Sequence, residues 1–108
     1  MKVFYRQTAD EDVIRQFRYY LLTLELPEVA LRFRDSVRDT VELLRKHPSI
    51  GPRYRSNNPR FPNLRSWPVK RFEAISSHYI AEKETLQIVR ILHGKRDVKR
   101  IIETEEGQ

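Results

Sequence analysis

The sequence has no cysteine and only three glycines. Without cysteine the chain forms no disulfide bond, no thiolate metal site and no thiol nucleophile. It contains no His-x-x-x-His motif and no phosphate-binding glycine loop, so we expect no metal ion and no cofactor. It also has no apolar run long enough for a membrane span or a secretory signal, which predicts a soluble protein of the cytosol with no membrane partner.

Acidic residues are absent from the middle of the chain. Between Arg45 and Phe72 the sequence has eight basic residues and no Asp or Glu, in a protein with a formal net charge of +6. A positive segment of this size attracts polyanions, such as nucleic acid or an acidic protein segment. The alternative interpretation is a solvated loop in a generally basic protein. At 108 residues the chain is expected to form one domain, residues 1–108, around a single core.

The first half of the chain predicts one short strand and two helices. After an alternating N-terminal segment, Thr8 and Glu11 form a capping-box pattern, and apolar residues then recur at helical spacing to about Leu24. Pro27 suits the first turn of a second helix, which ends near His47. Because the connection between them is short, the two helices should form an antiparallel hairpin.

The second half predicts an irregular segment followed by strands. Residues 48–62 are dense in Pro, Asn, Ser and Gly, which favours a surface connection. Three strands are then predicted, over residues 64–69, 72–81 and 86–93. Pro68 cannot donate to a strand ladder and therefore favours a sheet edge. A short terminal helix should begin after Asp97, whose side chain can cap it.

The order of elements is therefore β-α-α-β-β-β with a short C-terminal helix. Helices that precede a run of strands predict an α+β fold, in which the helical hairpin packs on one face of a small, twisted, mainly antiparallel sheet. The last strand is the most apolar and should lie in the middle of the sheet. Strict alternation within it would place Arg90 on the same face as Leu86, Ile88 and Leu92.

Four fragments of the sequence, taken together and in order, carry a resemblance to a known family. They are Ala30–Phe33, His47–Gly51, Leu64–Lys70 and Arg90–Asp97. With them the chain resembles the RelE/ParE toxin superfamily, the toxin halves of bacterial type II toxin–antitoxin systems, and it is more similar to the ParE side. The resemblance spans most of the chain from the second helix onward.

The resemblance implies a growth-inhibiting toxin that forms a hetero-oligomer with an antitoxin, whose C-terminal segment wraps around it. ParE-like toxins are associated with poisoning of DNA gyrase, and this is the function we expect. RelE-like toxins instead cleave messenger RNA on the ribosome, which is the alternative. A third possibility is a degenerate member that retains only partner binding or DNA binding.

RNA cleavage would require a base, an acid and cations that hold the phosphate. The residues that offer this chemistry are Arg65, Lys70, Arg90 and His93. RelE-like sequences commonly add a tyrosine near the C-terminus, whereas this chain has no tyrosine after Tyr79. The sequence therefore favours a toxin that acts by binding, without confident catalytic residues. His93 is also readily explained as a structural donor and acceptor.

Two binding surfaces are expected. The residues predicted to contact the target are Arg65, Trp67, Lys70, Arg71, Arg90, His93, Lys95 and Arg96. Those predicted to contact the antitoxin are Val13, Phe17, Leu21 and Phe33, on the side of the helical hairpin. Trp67 is equally well explained as a core residue. If Arg90 lies on the target surface, Arg90→Glu should remove toxicity and leave the fold intact.

Overall fold

A computed structural model describes residues 1–106 and contains four strands and three α-helices in that range. In chain order these are β1 (Lys2–Tyr5), α1 (Gln7–Arg18), a π-helical segment (Tyr19–Thr23), α2 (Pro27–Lys46), β2 (Arg65–Val69), β3 (Phe72–Glu82), β4 (Thr85–His93) and α3 (Val98–Thr104). The predicted α+β fold and its order of elements are confirmed.

The four strands form one sheet in the order β1-β4-β3-β2. β4 lies in the interior of the sheet as predicted, antiparallel to β3 and parallel to β1. Among residues 1–106, β2 pairs with β3 and, at Arg65, with Arg53 through an isolated bridge, so Pro68 lies on an edge strand, where its missing N–H disturbs no second ladder. In the same range β1 pairs with β4 alone and forms the other edge.

The helical hairpin covers one face of the sheet. Helix α2 begins with Pro27 at its first turn and buries a continuous stripe that includes Phe33, Val37 and Leu44. This stripe packs on residues of β3 and β4 such as Tyr79 and Ile88. Removing these side chains from water is the main contribution to the stability of this layer.

A second apolar layer covers the opposite face. Phe61 and Leu64, from the irregular segment before β2, and Ile102 from α3 pack against Ile80 and Val89 of the sheet. The segment between α2 and β2 thus has no regular structure but is part of the packed fold. The sequence predicted it only as a surface connection.

A β-bulge in β4 changes which side chains face the helices. Consecutive residues of β3 pair with Arg90 and Ile88, which leaves Val89 without a partner. Ile88 and Ile91 therefore both pack against the helices, whereas Val89 and Leu92 pack in the second layer. The strict alternation predicted for this strand is wrong after Ile88.

The N-terminus of α1 also differs from the prediction. Helix α1 begins at Gln7, and Arg6 occupies the N-cap position without a side-chain hydrogen bond to the helix. The hydroxyl of Thr8 instead donates to Glu105 Oε2 at 2.5 Å. The predicted capping box between Thr8 and Glu11 is therefore wrong, because a tertiary acceptor takes the Thr8 hydroxyl.

Candidate functional site

Arg90 lies in a buried ion cluster. Its Nε and Nη2 donate to the two carboxylate oxygens of Asp12 at 2.7 and 2.8 Å, and its Nη1 donates to Glu105 Oε1 at 2.9 Å. The side chain is only 11% exposed, and its hydrogen bond to Asp12 leads the interactions that raise the pKa of Arg90. The prediction that Arg90 belongs to an exposed basic surface is wrong, because two internal carboxylates neutralise it.

Asp12 and Glu105 hold further donors. Asp12 Oδ2 accepts the backbone N–H of Ile91, next to the bulge, at 3.0 Å. Glu105 Oε2 lies 3.4 Å from Nε of Arg6, whose guanidinium stacks 5.0 Å from the Phe61 ring centroid. We call Arg6, Asp12, Arg90 and Glu105 the buried charge cluster. It joins α1, β4 and the residues after α3, so its role is structural.

Arg65 is also engaged within the fold. It begins β2, and its Nη1 donates to the carbonyl oxygen of Gly51 at 2.6 Å. This contact fixes the backbone that follows α2 against the sheet. Arg65 therefore has only part of its side chain free for a partner.

The other basic residues predicted to contact the target, together with His93, gather at one end of the sheet. β2 and β4 run in the same direction, and Gly94 N–H donates to the Ala74 carbonyl at 2.7 Å, so the residues that follow both strands lie beside the start of β3. We call this group the cationic rim; its members are Lys70, Arg71, His93, Lys95 and Arg96. Arg71 is partly neutralised by Asp39 at 3.3 Å, and His93 Nδ1 accepts the Lys95 backbone N–H.

Trp67 connects this end of the sheet with the core. It is half-buried and packs against the helical layer. Together with Leu43, Pro68 and Lys70 it lines a groove of about 520 Å³ between α2 and the β2 edge. Both interpretations of Trp67, as a core residue and as part of a contact surface, are thus compatible with its position.

The four residues considered for RNA cleavage do not converge. Arg65 begins β2 and Lys70 follows its end, so the two lie about 16 Å apart along an extended strand. Arg90 is bound by Asp12 and Glu105. His93 and Arg65 pair with Ile75 and Tyr79 of β3 respectively, which are four residues, or about 13 Å, apart along that strand.

Phe33 is not available to an antitoxin. It is completely buried and packs edge-to-face against Tyr20 and Phe72, with ring centroids 5.6 and 5.4 Å apart. Its assignment to a binding surface is wrong, because the stripe of α2 that carries it faces the sheet. Val13, Phe17 and Leu21 are half-buried, with part of each side chain accessible.

Val13 lines an apolar groove that was not predicted from the sequence. The groove has a volume of about 770 Å³ and lies between the two helices and the edge strand β1. Its apolar lining consists of Val3, Tyr5, Val13, Ile14, Val37 and Val41. Burial and the charge of Asp10 raise the pKa of Tyr5 to about 12. The adjacent apolar residues Val13 and Ile14 were the signal in the sequence that could have indicated this groove. Only Val13 was assigned to a binding surface.

His78 is a buried histidine with an unpaired nitrogen. It is 2% exposed, its ring packs edge-on against Tyr54 at 4.9 Å, and Nδ1 has no hydrogen-bond partner among residues 1–106. Burial lowers the pKa of His78 to about 4, although Asp12 and a backbone hydrogen bond with Arg90 oppose the shift. The imidazole is therefore neutral in the folded protein at pH 7.

This histidine predicts a loss of stability in mild acid. Its pKa is about 4 when folded and 6.5 in the reference state, so the unfolded chain binds more protons in between. Stability is therefore complete above pH 6.5 and falls as the pH drops towards 4, by about 3 kcal/mol over the whole interval. Urea denaturation between pH 7 and pH 5 measures the fall. In His78→Leu the loss of stability between pH 7 and pH 5 should be clearly smaller than in the wild type. An equal loss would contradict the assignment of this pH dependence to His78.

Comparison with known proteins supplies the family. Residues 3–98 match the family described as ParE toxin of type II toxin–antitoxin system, parDE. Comparison with curated proteins gives no significant match. Among solved structures, the chain is similar to a chain of the chromosomal ParDE toxin–antitoxin system from P. aeruginosa, with a TM-score of 0.67 and 22% identity, covering 86% of this chain and 95% of that one.

No helix within residues 1–106 has the length and apolar character needed to cross a membrane. The matched family covers the helical hairpin, the sheet except Lys2, and the first residue of α3. The similar solved structure has the same fold over most of its length. The chain therefore belongs to the ParE toxin family of type II toxin–antitoxin systems.

Proposed function

We propose that this toxin inhibits growth by binding and poisoning DNA gyrase, and that a cognate antitoxin neutralises it. The observation that carries the proposal is the engagement of Arg90 by Asp12 and Glu105. Because this arginine is part of the fold, the cations that RNA cleavage would need are not assembled at one point. Binding to a partner such as gyrase through exposed charged residues does not require the cations to meet at one point.

The cationic rim is the proposed contact surface for gyrase or its complex with DNA. Lys70, Lys95 and Arg96 are exposed, and no carboxylate lies within ion-pair distance of them among residues 1–106. Exposed charges of one sign accelerate association with an oppositely charged partner and set its orientation. The rim also adjoins the groove lined by Trp67 and Pro68, which offers apolar contact area.

The apolar groove beside β1 is the proposed antitoxin site. β1 has an unpaired edge, and the adjacent groove exposes more than half of Ile14. An extended segment can add to such an edge through backbone hydrogen bonds while its apolar side chains enter the groove. Arg34 and Arg38 line the groove together with Asp10, Asp39 and Glu42, so its polar border offers ion-pair partners of both signs to a docked segment.

A supercoiling assay with purified gyrase tests the target. The full chain, added without antitoxin, should inhibit supercoiling and accumulate cleaved DNA. The double substitution Lys95→Glu and Arg96→Glu should raise the concentration for half-inhibition at least tenfold, since it reverses two charges of the rim. Lys2→Glu is the matched control at the far end of the sheet and should leave inhibition within about twofold.

Two outcomes would contradict this proposal. If the rim variant and Lys2→Glu inhibited supercoiling equally, the cationic rim would not be part of the contact surface for gyrase. Supercoiling that continues unchanged, together with defined cleavages inside codons found by primer extension after induction, would favour a ribosome-dependent endoribonuclease instead.

A further inference from the structure

We infer that the segment 53–63, here called the arginine loop, is a second binding surface, which holds the phosphate backbone of duplex DNA. This inference goes beyond the proposed function, because it concerns residues outside the cationic rim and requires no gyrase. The loop carries Arg53, Arg55 and Arg60 and has no acidic residue. All three arginines are exposed.

These three guanidinium groups have no carboxylate partner within 4.0 Å in the part of the chain that the structure describes. Two exposed arginines of α2 behave differently. Arg34 and Arg38 both lie beside Asp35, at 3.4 and 3.8 Å. The positive charge of the helical hairpin is thus partly compensated locally, whereas that of the arginine loop is available to an anion.

Two carboxylates lie near the loop. Glu103 accepts the N–H of Asn57 at 3.0 Å, and Asp97 accepts the N–H of Arg100 at 3.2 Å. Their charges reduce the positive charge of the loop, but among residues 1–106 neither lies within 4.0 Å of its three guanidinium groups, which leaves the loop with a net positive charge. Its field therefore favours an anionic partner.

The loop is irregular in backbone but firmly attached. Tyr54 N–H donates to the Leu64 carbonyl at 2.8 Å, and the buried side-chain amide of Asn58 donates to the carbonyls of Ile102 and Glu105 at 2.8 and 2.9 Å. A long connection without regular structure that is nevertheless held in place is typical of a binding loop. Because the backbone is already ordered, binding loses little conformational entropy.

The shape and chemistry of the loop favour duplex over single-stranded nucleic acid. Arg53 and Arg55 line an open hollow of about 420 Å³ together with polar Asn57. Tyr54 and Phe61 also line this hollow, but Phe61 is 3% exposed, and Tyr54 is half-buried with its ring edge-on against His78. Single strands are bound largely by stacking of bases on exposed aromatic rings, and neither of these two rings is fully exposed. Guanidinium groups alone suit phosphate oxygens.

Fluorescence anisotropy with a labelled duplex of arbitrary sequence tests the inference. The full chain is titrated without gyrase or antitoxin at several NaCl concentrations. Three phosphate contacts predict a slope of about −2.7 in log association constant against log salt, or roughly 40-fold weaker binding at 200 mM than at 50 mM. Replacing all three arginines by Gln should weaken binding at least tenfold at 50 mM and remove most of that slope.

The control is Arg18→Gln with Arg32→Gln, which removes two exposed guanidinium groups of the helical hairpin that have no ion pair among residues 1–106, and it should change the affinity less than twofold. Wild-type affinity and slope in the triple variant would overturn the inference. Tighter binding of a single-stranded RNA, or equal competition by an oligoglutamate peptide of matched charge, would also overturn it in favour of another partner. Since no gyrase is present, failure of the proposed gyrase activity would leave this result unchanged.

Discussion

Arg90→Ala should destabilise the fold by about 3–5 kcal/mol, the usual cost of removing one partner from a buried ion pair. The substitution leaves Asp12 and Glu105, whose side chains are 1% and 5% exposed, without the guanidinium group that bridges them. It also disconnects β4 from the residues after α3. Urea denaturation of the full chain, followed by circular dichroism, gives the loss as a shift of the midpoint at unchanged slope.

Arg15→Ala is the control for this prediction. Arg15 donates to the same carboxylate, at 2.5 Å from Asp12 Oδ1, but its side chain is 53% exposed. Ion pairs in contact with water contribute little, so the loss should stay below about 1 kcal/mol. Similar losses in the two variants would show that burial of the cluster is not what makes Arg90 important.

The buried charge cluster also determines what Arg90→Glu would test. Arg90→Glu would place a third carboxylate beside Asp12 and Glu105, in a protein whose total stability is on the order of 5–15 kcal/mol. We therefore expect this variant not to fold. A loss of toxicity would then report unfolding, in contrast to the expectation drawn from the sequence that the fold would survive.

The elements of the fold were predictable because their signals are local. Apolar spacing and Pro27 located α2, Pro68 indicated an edge strand, and Asp97 was correctly predicted to cap the last helix, since its Oδ1 accepts the Arg100 N–H. The family resemblance rests on fragments that lie in these elements or directly after them. Strand direction also explains why the residues after β2 and β4 meet at one end of the sheet.

The errors have a common cause in contacts between distant parts of the chain. Arg90 and Asp12 are 78 residues apart, and nothing near either residue indicates their pairing. The bulge at Val89 leaves no mark in the amino-acid pattern, so strict alternation misassigned the faces of the strand. Helical spacing identified Phe33 as apolar, but it does not distinguish a residue that packs on the sheet from one that binds a partner.

Gly51→Ala is expected to cost about 3 kcal/mol or more, as overpacking of a closed site does. A methyl group at this position would lie 2.5 Å from the Ser66 carbonyl oxygen and 2.7 Å from Tyr79 Oη. The first of these atoms belongs to the backbone of β2 and cannot turn away. Thermal or urea denaturation measures the loss. The close packing gives a physical reason for glycine at the end of the His47–Gly51 fragment.

Gly94→Ala is the matched control, since its added methyl group would meet only the Ala74 carbonyl oxygen at 3.4 Å, an ordinary contact. It should change stability by less than about 1 kcal/mol. Equal losses at the two glycines would mean that backbone freedom, and not close packing, explains the effect at Gly51.

Tyr79→Phe separates the two contacts that crowd Gly51. The Tyr79 hydroxyl accepts the Gly51 N–H at 3.0 Å and donates to the Pro48 carbonyl at 2.8 Å, so its removal alone should cost about 1–3 kcal/mol. It also removes one of the atoms that the methyl group added by Gly51→Ala would meet. The double variant should therefore be more stable than the sum of the single losses predicts, by about 0.5 kcal/mol or more, which is the usual coupling between residues in contact. Strict additivity would show that the Ser66 carbonyl alone excludes a side chain, and that the hydroxyl serves only as a link between the strand and the end of α2.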